Sequence, residues 1–173
     1  SFIIIKVSNI DKEGPNAKIE LTQGTSYING KIKAKIRIED KESGIDLSKW
    51  VINQNNANIG TDIGLYTGGS ITSEEQEIQS QNITTAGNYY IHVLTTDNAG
   101  NVKETISEQA VIKSGYAIST PQDLQNVKNN LSASYYVVND IDMSGFNFTP
   151  MGTFKGSIDG QGYTISNLKI TGE

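Results

Sequence analysis

The stretch from Tyr136 onward, YVVNDIDMSGFNFTPMGTFKGSIDGQGYTISNLKITGE, limits what this chain can fold into more than any other part of it. Short apolar runs recur at close, even spacing, each broken at Gly, Asp or Asn, and no helix-period segment lies between them. That punctuation predicts strands of a few residues stacked as coils of a parallel solenoid. One or two such coils cannot bury their own apolar face, because each repeat draws its core from the next. The expectation is therefore a segment of a longer rod, and the lack of an initiator methionine agrees with it. The last strand, residues 163–170, is expected to present unpaired edge groups to a following coil.

Upstream, the strands are longer. Residues 31–39 alternate strictly: Ile32, Ala34, Ile36 and Ile38 point one way, and Lys33, Lys35, Arg37 and Glu39 the other. A strand with one buried and one solvated face has this pattern. Residues 87–96 alternate too, placing Tyr89, Ile91, Val93 and Thr95 inward and predicting a solvated His92. Residues 17–21, 49–53, a weaker 65–67, 75–79 and 102–112 complete about seven strands, separated by turns such as Gln23-Gly24, Asn29-Gly30 and Gly68-Gly69. Seven short antiparallel strands within 11–113 predict a two-sheet β-sandwich. Trp50, the single tryptophan, reads as an anchor between the sheets, with an exposed carbohydrate-stacking platform as the alternative. Tyr89, two residues after Gly87, reads as a corner tyrosine with its hydroxyl turned back to the backbone.

Ser114-Gly115 ends this region. Thr120 is placed to cap a helix, Pro121 suits its first position and Asp123 completes a capping box. Leu124, Val127 and Leu131 give that helix, residues 121–130, one apolar stripe with which to cover the open end of a first coil. A phase break near Asn139-Asp140 predicts a corner, and Asp159-Gly160-Gln161-Gly162 a turn built on Gly160 and Gly162.

Composition excludes several functions. With no cysteine there is neither a disulfide nor a thiolate site. The net charge of −5 comes from 14 basic and 19 acidic residues, and Arg37 is the sole arginine, so nucleic acid is not an expected partner. No apolar run is long enough to span a bilayer as a helix. A single histidine has no second one to pair with, and no H-E-x-x-H is present, so no catalytic residues are expected. Asp140, Asp142 and Asp159 could be read as glycoside-cleaving carboxylates, but at corners beside Gly, Asn and Ser they read better as caps of backbone N–H groups. No cofactor is expected, and the one candidate ion is Ca²⁺. Asp97, Asn98 and Asn101, with Asp11 and the acids at Glu39, Asp40, Glu42 and Asp46, could gather hard oxygen ligands. The competing reading is a hairpin loop whose Asn and Asp bond their own backbone while Gly100 supplies a positive φ.

Two resemblances sharpen these expectations. Asn9-Ile10-Asp11-Lys12-Glu13-Gly14-Pro15 resembles the junction between tandem bacterial immunoglobulin-like repeats. Ser43-Gly44-Ile45 resembles their loop before the third strand, and Gly87-Asn88-Tyr89 with Thr96-Asp97-Asn98-Ala99-Gly100-Asn101 resembles their sixth strand and the hairpin after it. Residues 1–10 would then be the last strand of a preceding repeat or a linker, and 11–113 the sandwich. In residues 114–173, Tyr136, Ile141-Asp142-Met143, Phe154-Lys155-Gly156, Ile158-Asp159-Gly160, Gly162-Tyr163-Thr164-Ile165 and Asn167-Leu168 resemble the opening coil of right-handed parallel β-helices. Such coils precede the Gly-rich GLUG repeats of bacterial surface proteins, and a similar one precedes the peptidase domain of immunoglobulin-A-cleaving metallopeptidases. The resemblances imply a non-catalytic spacer of a secreted or cell-wall-attached, adhesin-like protein. Its partners would be neighbouring immunoglobulin-like and β-helix repeats, with a host glycan or protein as a further candidate. Two alternatives stand beside it: an accessory region of a wall-associated peptidase or glycan hydrolase, and a carbohydrate- or host-protein-binding module.

Overall fold

The computed structural model describes residues 10–170. The expected preceding strand within residues 1–10 lies, apart from Ile10, outside the described residues. The chain is mostly β with one short α-helix, and it divides into two compact units. The first comprises residues up to Ile83 with Gly87–Ile112, and the second comprises Lys113 onward with Thr84–Ala86.

The first unit holds two antiparallel sheets. In one, β3 (Lys33–Glu39) lies between β1 (Asn16–Leu21) and β6 (Glu75–Gln79), in registers that pair Ile36 with Ile19 and Ala34 with Ile78. The other is ordered β2 (Ser26–Ile28), β9 (Ala110–Lys113), β7 (Gly87–Asp97), β4 (Ile45–Asn53), β5 (Gly69–Ser70), with β8 (Val102–Ile106) also on β7. Strand β4 follows β7 from Ile45↔Asp97 to Asn53↔Tyr90, with an irregularity between Ile45 and Leu47. The other edge of β7 is shared, β9 pairing with Gly87–Tyr89 and β8 with His92–Thr96. The single strand expected over 102–112 is therefore two. Between them Ser107 bonds Ile91 twice, its hydroxyl accepting the Ile91 N–H at 2.9 Å while its own N–H reaches the Ile91 carbonyl at 2.9 Å.

The two sheets share one core, to which Ile32, Ala34, Ile36, Ile38 and Ile78 contribute from one side and Trp50, Ile91, Val93, Ala110 and Ile112 from the other. Burying each of the larger aliphatic side chains stabilises the fold by about 1.5–3 kcal/mol. The strand expected at 65–67 is absent. Residues Ile63–Leu65 form a 3-10 turn capped by the Asp62 side chain, and the ladder resumes only at β5.

The second unit is built on parallel pairings. Strand β10 (Tyr116–Ile118) pairs with β11 (Ser134–Val137), and β11 with β13 (Ser157–Asp159). Separately, β12 (Ile141–Asp142) pairs with β14 (Ile165–Ser166), and Phe148 bridges to Ile170 in the same sense. The rings of Tyr116, Tyr135 and Phe154 follow one another at centroid distances of 5.5 and 6.4 Å. Gly156 admits close stacking, since a Cβ there would lie 2.0 Å from the Ala133 carbonyl oxygen.

Helix α1 (Pro121–Asn126) begins with the expected capping box: Thr120 Oγ1 accepts the Asp123 N–H, and Asp123 Oδ2 accepts the Thr120 N–H. It tightens to 3-10 over Val127–Asn129. Leu124 and Val127 enter a second core with Ile118, Tyr135, Val137, Ile141, Met143 and Phe148. The expected corner falls between β11 and β12, where the Asn139 amide donates to the Ser119 and Asp140 carbonyls.

Candidate functional site

Three chain segments converge at one end of the first unit. Asp11 lies ahead of β1, Asp40 follows β3 directly, and Asp97 ends β7; their carboxylate oxygens all lie within 4.8 Å of one another. Each is held by the turn that carries it, a recurring use of Asp beside a tight turn. Asp40 Oδ1 accepts the N–H groups of Glu42, Ser43 and Gly44 at 3.1, 2.8 and 2.8 Å. Asp97 Oδ1 accepts those of Ala99 and Asn101 at 2.9 and 2.8 Å, and its Oδ2 takes the Asn101 side-chain amide at 2.8 Å. Asp11 Oδ1 accepts the Glu13 N–H at 3.0 Å. Its other oxygen, Oδ2, is buried and has no hydrogen-bond donor.

The electrostatics follow from this packing. Asp97 is 1% exposed. Burial works against its charge, but the Asn101 amide and the N–H groups of Asn101, Ala99 and Gly100 outweigh it and hold the carboxyl below its usual range. Glu42 moves the other way. The charge of Asp11 pushes its carboxyl up, burial adds to this, and Glu13 and Asp40 contribute further. Two things relieve such crowding: a proton on Glu42 or a cation among the oxygens. A hard divalent cation suits an all-oxygen set.

The sequence-selected residues divide here. Asp11 and Asp97 come together. Asn98 instead ties the hairpin to the neighbouring loop, its amide donating to the Ser43 carbonyl and its backbone N–H to that of Gly44. Asn101 presents its amide nitrogen to Asp97, and more distantly to the carbonyls of Asp11 and Glu13, so it supports the carboxylates as a donor. Asp40, seen in the sequence only as a nearby acid, supplies the third carboxylate. Gly100 takes φ 88°.

Trp50 is 8% exposed and belongs to the shared core, so its ring is not an exposed stacking platform. Gly68 lies against it, and a Cβ there would fall 2.4 Å from the indole ring. Tyr89 is half-buried against the same core. In the second unit, positive φ in the turn falls on Gln161 and Gly162, while Gly160 accepts the Tyr163 N–H. Asp140, Asp142 and Asp159 cap turns and neighbouring strands. Asp140 accepts the Thr164 N–H, Asp142 those of Ser144 and the Asn167 amide, and Asp159 that of Gln161.

His92 corrects the sequence reading. It was expected in solvent and is 0% exposed. Residues 54–66 cross the outer face of β7 and cover it, which strand alternation alone does not reveal. The signal available was Leu94, an apolar residue on the same phase as His92.

No known protein family and no curated protein matches the sequence. Among solved structures, the chain is similar to the PKD1 domain of Vibrio anguillarum Epp, at TM-score 0.40 and 15% identity over 60% of this chain and 99% of that one. It is also similar to the PmoD soluble domain from Methylocystis sp., at 0.37 and 10% over 57% and 90%. A third likeness is to the titin domains z1z2 in complex with telethonin, at 0.32 and 13% over 64% and 58%. These overlaps are low, and the sandwich is defined by its own sheets and core.

Proposed function

We propose that this chain is a non-catalytic spacer of a secreted or wall-attached bacterial surface protein, an immunoglobulin-like sandwich followed by the first coils of a parallel β-helix. The observation that carries the reading is the pair of parallel ladders in the second unit, β10-β11-β13 and β12-β14, set over one apolar core. Helix α1 lies between β10 and β11, but β11 reaches β13 and β12 reaches β14 with no helix between them, and parallel strands this short, joined in that way, suit a solenoid. The outermost coil leaves Ile158, Tyr163, Leu168 and Ile170 exposed, a surface suited to a further coil of the same protein. Its role would be mechanical: ladders and cores resist extension and carry the next region outward. The test is to append a copy of residues 141–170 after Glu173. The added coil should raise the melting midpoint of the second unit and protect the Ile158 and Ile165 amides from exchange. A tail that leaves both unchanged refutes the β-helix reading.

A second reading concerns Ca²⁺ at Asp11, Asp40 and Asp97, favoured by the buried, donorless Asp11 Oδ2. A cation there would fasten the segment before β1 to the ends of β3 and β7 and so stiffen the approach to the sandwich. Calorimetric titration with CaCl₂ should give saturable heat and a higher melting midpoint, both lost in Asp11→Asn/Asp40→Asn. The absence of both signals in the unaltered protein dismisses the ion.

A further inference from the structure

Residues 54–66 link β4 to the approach of β5 as a strap across the outer face of the larger sheet, and 54–58 and 60–62 of it are exposed. Apart from the local bond of the Asn55 N–H to Asn53 Oδ1 at the end of β4, at 2.8 Å, the described hydrogen bonds of residues 55–60 to the sheet run through two side chains. His92 Nε2 meets the Asn55 carbonyl oxygen at 2.9 Å. Glu104 accepts the Ile59 N–H at 3.1 Å on each carboxylate oxygen and the Gly60 N–H at 3.3 Å. His92 Nδ1 and Glu104 Oε1 are 2.7 Å apart, and the two side chains are 0% and 4% exposed. The buried Tyr66 hydroxyl adds a bond within the strap, donating to the Gly60 carbonyl at 2.8 Å.

The number of hydrogens here is set by the partners. A carbonyl oxygen only accepts, so Nε2 carries a hydrogen. The contact between Nδ1 and Oε1 then needs one more, on whichever of the two atoms it resides. Without it, an imidazole lone pair faces a carboxylate lone pair at hydrogen-bond distance, and a charge is left uncompensated where water does not reach. Lifting the strap admits water and relieves both faults.

The geometry points to a proton-operated latch: residues 54–66 stay closed while a hydrogen bridges His92 Nδ1 and Glu104 Oε1, and open when that proton leaves to solvent as pH rises, uncovering Tyr66 and Leu94. The other titratable groups around the pair do not supply the missing hydrogen. Burial, then the charge of Glu104 and a hydrogen bond with it, pushes the Tyr66 hydroxyl far up, so it keeps its own proton. Asp62 caps Gly64, and the Tyr90 hydroxyl donates to Gln109. Lys49 on β4 is separated from Glu104 by Leu94, which pairs with both.

Glu104→Gln separates a latch from a fixed structural pair. Its amide can donate to neutral Nδ1 while its oxygen accepts the Ile59 N–H, which keeps the strap closed with no ionisable proton. Exchange protection of the Ile59 and Gly60 amides, corrected for intrinsic rates, would be followed from about pH 5 to about pH 10, together with the ¹⁵N signals of the His92 ring. In the unaltered chain, protection should fall by about tenfold or more with rising pH, in step with the ring signals, while the Ile91 and Val93 amides hold. Glu104→Gln should show no such fall. Protection that is flat in the unaltered chain, that falls equally in Glu104→Gln, or that falls with unchanged ring signals overturns the latch. Should Glu104→Gln not fold, the unaltered chain's protection and ring signals decide between these outcomes alone.

Discussion

Trp50 and Gly68 act as one packing device, a bulky ring in the core and a residue without a side chain lying against it. Trp50→Ala should cost about 3–5 kcal/mol, because cores of this kind close only partly over a lost ring; urea unfolding at neutral pH measures it, and a loss below about 1 kcal/mol would show the ring is not an anchor. Charge at single residues sets the acid limb of stability. Asp97, Asp123 and Asp142 all have carboxyls held below their usual range. For Asp97 and Asp123, hydrogen bonds outweigh burial, and for Asp142 the Asn167 amide leads. The folded chain therefore releases these protons more readily than the unfolded one. The stability they confer is complete above the unfolded value, near pH 4, and disappears as pH falls through the folded values. Asp97→Asn should be less stable than the unaltered chain at pH 7 and lose less on acidification. Urea midpoints at several pH values check this, and an unchanged acid slope would exclude Asp97 from the effect.

At the scale of elements, the second unit offers the sharpest local test. Thr120→Ala removes the acceptor for the Asp123 N–H and half of the capping box, and should destabilise that unit by about 1 kcal/mol. An unchanged midpoint for that unit would mean the box is not needed to hold α1. This start was legible in the sequence because Thr-Pro-x-Asp states its own geometry. The helix end was not, since nothing local marks where Val127–Asn129 tightens. The alternation of β3 announced its buried face, whereas the alternation of β7 misplaced His92, because the strap that covers it comes from elsewhere in the chain. The same limit applied to the carboxylates. Asp97 and its hairpin could be picked out from spacing, but that Asp40 joins Asp11 there depends on the pairing of β1 with β3, which brings Asn16 opposite Glu39. The strand expected at 65–67 failed because Asp62 caps a 3-10 turn first.

At the scale of the whole molecule, the two cores have no residue in common: one closes between the sheets of the first unit, the other beneath the parallel strands and α1. Stability should therefore be divided between them, and calorimetry should resolve two transitions where a single domain of this size would show one. Ile36 and Ile118, each 0% exposed, report on one core apiece. Ile36→Ala should lower the first unit's transition alone and Ile118→Ala the second's alone, each by the equivalent of about 2–5 kcal/mol. A single transition that both variants shift equally would mean the units melt together. For the proposed spacer the divided case would be an advantage, because under load one unit could yield while the other stays folded, and the chain would lengthen in steps.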